Sequence, residues 1–90
     1  MPTVRHEPDA NRFVADTEAG EAELAYRGGE GAISFVHTLV PEGARGDGVG
    51  SALVEAGLAY ARENGLRVKP QCPFVEAYMN DHPETQDLLE

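Results

Sequence analysis

A change of hydrophobic period on either side of one glycine-rich segment constrains this chain more than anything else in it. Upstream, residues 12–16, 21–27 and 33–40 carry apolar side chains at alternate positions or as a short run, as strands do. Downstream, Val49, Leu53, Ala56 and Tyr60 recur at helical spacing, and Ala52, Ala59 and Ala61 raise helix propensity. Between them lies Arg45-Gly46-Asp47-Gly48-Val49-Gly50-Ser51. A glycine-rich turn that leads from strand into helix exposes several backbone N–H groups at the positive end of the helix dipole. Such a turn is a ready site for phosphate oxygens; the alternative is a plain connection with no ligand.

The spacing of the remaining elements follows from turn chemistry. Phe13 and Ala15 share one face of the first alternating segment, and Ala22, Leu24 and Tyr26 one face of the second. Glu18-Ala19-Gly20 and Gly28-Gly29-Glu30-Gly31 are short connections, so the three strands form an antiparallel meander. Pro41 blocks continuation of the third strand. Residues 2–11 are polar and read as a loose lead-in. Asn64-Gly65 ends the helix, with Gly65 as a left-handed cap. Residues 66–71 form a short strand, which a right-handed crossover places parallel to 33–40. Cys72-Pro73 opens a second helix, and His82-Pro83 a short last one ending at Leu88-Leu89. The expected fold class is therefore mixed α/β (α+β): a three-stranded antiparallel meander extended by a βαβ unit and flanked by helices, in one domain over 1–90.

Composition narrows the function. With 7 basic and 16 acidic residues the formal net charge is -9, which argues against nucleic acid and anionic membranes as partners. The hydrophobic fraction of 41% suits a folded globule, and no apolar run is long enough to span a membrane. Met1-Pro2-Thr3-Val4-Arg5 does not open a signal peptide, so the cytoplasm is the expected compartment. Cys72 is the only cysteine and the three histidines are scattered, so no metal motif is present.

The glycine segment fits neither of two common phosphate loops. Gly43 and Gly48 have the gap of a P-loop, but Val49 stands where its lysine belongs. A dinucleotide fingerprint requires a third glycine at another spacing. What remains is Arg-x-x-Gly-x-Gly, from Arg45, Gly48 and Gly50, before a helix. This resembles the acyl-CoA loop of the GNAT superfamily of N-acetyltransferases. His37-Thr38 before the loop, Gly50-Ser51-Ala52-Leu53-Val54 after it, Lys69-Pro70-Gln71-Cys72-Pro73-Phe74-Val75-Glu76-Ala77-Tyr78 and then His82-Pro83-Glu84 are similar to the small single-domain GNAT-like proteins of this length. The resemblance covers nearly the whole chain and is strongest over residues 33–84.

The resemblance implies a minimal acyl-CoA N-acyltransferase fold, with acetyl-CoA as co-substrate and no metal. The pyrophosphate is expected at Arg45, Gly46, Asp47, Gly48, Val49, Gly50 and Ser51. The pantetheine arm is expected beside Leu39 and Val40, whose backbone would bind its amides as an added strand does. The acceptor is expected to be an amine, on a small polyamine or a peptide, and the protein a monomer or weak dimer. A non-catalytic acyl-CoA-binding or protein-interaction module on the same fold is the alternative. Two positions depart from the family pattern. Asp47 stands where relatives carry a basic or polar residue; it either repels phosphate, by about 0.7–3 kcal/mol at 6 Å, or caps the helix. Leu39 replaces a common glutamate after His-Thr.

Three side chains are candidates for catalysis. His37 has the unperturbed pKa of a general base, yet by alternation it shares a face with Ile33 and Phe35 and reads equally as a buried, hydrogen-bonded histidine. Thr38 then points the other way, as a structural residue. Cys72, at the start of the second helix, is either a nucleophile or acyl-group neighbour, or an inert buried thiol. Tyr78, one turn beyond Phe74, is either the acid that protonates the departing thiolate or a packed core tyrosine. Tyr26 and Tyr60 read as core, and His6 and His82 carry no assignment.

Overall fold

The computed structural model describes residues 3–89. Five strands form one sheet in the order of the chain: β1 (Val4–Glu7), β2 (Arg12–Thr17), β3 (Gly20–Gly29), β4 (Ala32–Leu39) and β5 (Arg67–Pro70). The first four pair antiparallel, and β4 pairs with β5 in parallel. Helix α1 (Val49–Glu63) makes the crossover between β4 and β5, and α2 (Pro73–Asp81) follows β5. The expected meander and βαβ unit are both present, flanked by helices. The lead-in is corrected: the segment read as loose contains β1 and a 3-10 turn, Pro8–Ala10 (Pro2 lies outside the described residues). Polar alternation hid the strand, because only one of its faces meets the core.

Two local devices hold α1. Its C-terminus closes on left-handed Gly65 (φ 65°), where the Gly65 N–H donates to the Arg62 carbonyl and the Leu66 N–H to that of Ala61. Its buried stripe of Val49, Leu53, Val54, Gly57, Leu58 and Ala61 lies on the sheet face that carries Phe13, Leu24 and Phe35. Gly57 allows the closest approach, since a Cβ there would fall 2.8 Å from the Phe35 ring.

The opposite face of β1–β3 is covered by charge. Arg5 bridges Glu7, Asp16 and Glu21, while Arg12 bridges Glu7, Glu21 and Glu23. These pairs hold the Arg5 and Arg12 guanidiniums above their ordinary pKa range and Glu7 below the usual carboxylate value, by hydrogen bonding first. Val14, the cross-strand neighbour of Arg5, is fully buried.

A bulge in β4 positions everything that follows. Tyr26 pairs with Phe35 and Ala25 with His37, so Val36 is an extra residue. It reverses the alternation beyond it. His37 shares a face with Ala25 and is exposed, not beside Ile33 and Phe35 as simple alternation requires. Thr38 pairs with buried Leu24 and points to the helix side.

Candidate functional site

Beyond Phe35, β4 loses its neighbour on one side. The parallel ladder ends at Phe35↔Pro70, and proline has no N–H to continue it. The chain then turns away: the Cys72 N–H donates to the Phe35 carbonyl at 2.8 Å and the Cys72 carbonyl accepts from Glu76 in the first turn of α2. Residues 36–39 of β4 therefore run on with β3 on one side and, among the described residues, no strand on the other.

The gap opens into a cleft of about 460 Å³. Thr38, Leu39 and Val40 form one wall and Phe74 of α2 contributes to the rest. The segment between β4 and α1 completes it through Ala44, Arg45, Gly46, Gly48, Val49, Gly50 and Ser51. Leu39 and Phe74 are the large hydrophobic side chains left exposed among the described residues, at 51% and 43%, and both line this cleft.

The loop's backbone has the conformation expected of an anion cradle. Gly46 (φ 91°) and Gly48 (φ 79°) are left-handed, and a Cβ at either would point into open space. Gly48 is the N-cap of α1, and no side chain caps that end. The first amide to find a helical carbonyl is that of Ala52, which donates to Gly48 at 3.0 Å. The N–H groups of Val49, Gly50 and Ser51 are left for a ligand. Arg45 donates from Nε to the Val40 carbonyl at 3.4 Å and forms no ion pair among the described residues. Among the described residues it is the sole ionisable side chain lining the cleft.

Asp47 does not cap the helix. Gly48 holds that position, and Asp47 is exposed, outside the lining, with its N–H on the Ala44 carbonyl at 3.3 Å. Eight of the nine residues expected at the cofactor, all but Asp47, line one cleft. The candidate catalytic residues are dispersed. Exposed His37 lies on the other sheet face, outside the lining. Cys72 is 5% exposed, behind the wall, with its Sγ 3.1 Å from Thr38 Oγ1. Tyr78 donates from its hydroxyl to Glu55 of α1 at 3.3 Å, stacks on His82 at 3.9 Å, and does not line the cleft. Burial, followed by the charge of Glu55, raises the Tyr78 pKa and keeps the phenol protonated. The sequence reading did not include Thr38, Ala44 or Phe74 in the binding site. Phe74 stood within the Cys-Pro-Phe segment, whereas Thr38 depends on the bulge and had no signal in the alternation.

A parallel strand pair that splays apart beside a glycine loop at a helix N-terminus defines the acyl-CoA N-acyltransferase class. Residues 12–88 match the family model of the GCN5-related N-acetyl-transferases, and the chain belongs to that family. Its fold is similar to the solution NMR structure of a GCN5-like N-acetyltransferase candidate from Staphylococcus aureus. The two share 29% identity over 98% of this chain and 87% of the other, with a TM-score of 0.75. None of the curated proteins matches the sequence significantly. Among the described residues there is no cluster of ligating side chains suited to a metal, and no helix long and apolar enough to cross a membrane.

Proposed function

We propose that this protein is an acetyl-CoA-dependent N-acetyltransferase that transfers the acyl group to an amine. The observation that carries the reading is the joining of eight expected cofactor residues around one cleft beside the splayed β4 edge. In it, the free amides of Val49, Gly50 and Ser51 and the side chain of Arg45 hold the pyrophosphate. The unpaired edge of β4 at Leu39 and Val40 takes the pantetheine amides as a short added strand. Bound acetyl-CoA supplies the activated acyl group.

The acceptor in this reading is an exposed amine, on a polyamine or a peptide. His37 plays no part as a base in this reading, since it lies on the far sheet face. The acceptor enters as the free amine and gives its proton to water. The protein acts in the cytoplasm, as a monomer or weak dimer.

One observation favours a second reading. Among the described residues Arg45 alone of the cleft's side chains is ionisable, and it is no base at neutral pH. A non-catalytic acyl-CoA-binding module needs nothing more. Thermal melting with acetyl-CoA tests binding: at a hundred times Kd the ligand adds about 2.7 kcal/mol, on the order of 10 °C for a domain this small. No shift removes both readings. Amine-dependent release of CoA thiol then decides for the enzyme, and its absence across an acceptor screen decides for the module.

A further inference from the structure

Among the described residues three polar or charged side chains line the cleft: Thr38, Arg45 and Ser51. Arg45 and Ser51 belong to the phosphate end. Thr38 stands alone on the β4 wall, where the strand pair separates. It is there because the Val36 bulge turns it toward the helices. Behind it sits the Cys72 thiol at 3.1 Å. That thiol is fixed twice through its own main chain, by the N–H to Phe35 and by the carbonyl to Glu76.

A hydroxyl has one proton and two lone pairs. If Cys72 Sγ–H donates to Thr38 Oγ1, the Thr38 proton is free to face the cleft. The reverse arrangement spends that proton on sulfur, a weak acceptor. A ligand with an acceptor oxygen in the cleft selects the first arrangement, because both groups are then satisfied.

Resting on the acyl-CoA reading above, we propose that the Thr38 hydroxyl donates a hydrogen bond to the thioester carbonyl oxygen, and that Cys72 is a positioning residue which orients that hydroxyl. Thr38 keeps its proton throughout. The amine nitrogen bonds to the acyl carbon, the carbon–sulfur bond breaks, and CoA leaves as thiolate. The proton shed by the new amide goes to water. The donor is worth most as negative charge builds on the oxygen. Cys72 forms no covalent bond with the acyl group.

The test combines affinity, turnover and mass. Wild-type protein is expected to bind acetyl-CoA several-fold more tightly than free CoA by calorimetry, and Thr38→Val to abolish that difference while binding CoA normally. Thr38→Val is expected to lower kcat by about 10²-fold, the scale of one lost oxyanion donor, with KM for acetyl-CoA raised only by the same several-fold that the lost preference represents. Thr38→Ser, which keeps the hydroxyl, is expected to stay within a few-fold of wild type. Cys72→Ser keeps a donor behind Thr38 and is expected to retain most of kcat, whereas Cys72→Ala is expected to lose part of it. An acetyl adduct on wild-type Cys72 in intact mass spectra overturns the proposal, as does a Thr38→Val protein that still prefers acetyl-CoA. If Thr38→Val does not fold, Thr38→Ala and the two Cys72 variants carry the same comparison. Failure of wild-type protein to bind either CoA form counts against the acyl-CoA reading itself.

Discussion

The ring of Phe74 rests on Gly50, so close that an alanine Cβ there would fall 2.8 Å from its Cζ. The same distance separates a Cβ at Gly57, two turns further along α1, from the ring of Phe35. The two contacts differ in what can move. Phe74 is 43% exposed at the cleft, whereas Phe35 and its neighbour Leu24 are fully buried. Gly50→Ala is expected to leave stability within about 1 kcal/mol of wild type, because the gain in helix propensity offsets a swung ring. It is also expected to weaken acetyl-CoA binding, as Phe74 is pushed from its place in the cleft. Gly57→Ala is expected to destabilise by about 1–3 kcal/mol through overpacking. Paired denaturant melts and ligand titrations check both; equal stability loss at the two sites would contradict the argument.

Asp47 is charged, exposed and free of any capping duty. Replacement by alanine is therefore expected to change stability by less than about 0.5 kcal/mol, against about 1 kcal/mol for a lost N-cap. Asp47→Arg is expected to tighten acetyl-CoA binding, with a gain that shrinks as salt rises. An affinity that does not respond to the substitution would place the phosphates elsewhere.

Tyr78 spends its hydroxyl on Glu55 rather than on the cleft. Tyr78→Phe is expected to keep turnover within about threefold, since a partly exposed tie of this kind is worth little. A loss of about 10²-fold or more, the upper part of the range for a general acid, would return Tyr78 to the chemistry.

His6 stacks on Phe13 at 4.3 Å and shares a 2.5 Å hydrogen bond with the Tyr26 hydroxyl. Burial pushes its pKa below the usual histidine value. The unfolded chain therefore takes up a proton first as pH falls. The stability that His6 contributes is complete above its unfolded pKa, near 6.5, and is lost as pH falls from there through the lower folded value. Urea melts between pH 7 and pH 5 are expected to show falling stability, and His6→Gln to flatten that limb. The acid limb of Glu7 and Asp87, whose pKa values are lowered by their arginine partners, begins further down. A variant whose pH dependence matches wild type would assign the loss to other groups.

Much of the fold was legible because it rests on local chemistry. The period change at the glycine segment, the Gly65 cap and Pro73 at the first position of α2 all act within a few residues. The misreadings share a different cause. β1 is a strand because Phe13 and Tyr26 lie beside His6, which residues 2–11 do not reveal alone. Asp47 has a good capping side chain, but Gly48, in a left-handed conformation, took the position.

The sequence by itself determined where the chain turns from strands to helix and which backbone amides an anion would meet, because glycine conformation and helix ends are local properties. Tertiary structure decided which side chains face the cleft beside that loop. A single extra residue at Val36, accommodated only by pairing β4 against β3, moved His37 out of the helix-side face and brought Thr38 against Cys72. Side-chain direction in a strand has a period of two, so one bulge reverses it for every residue that follows.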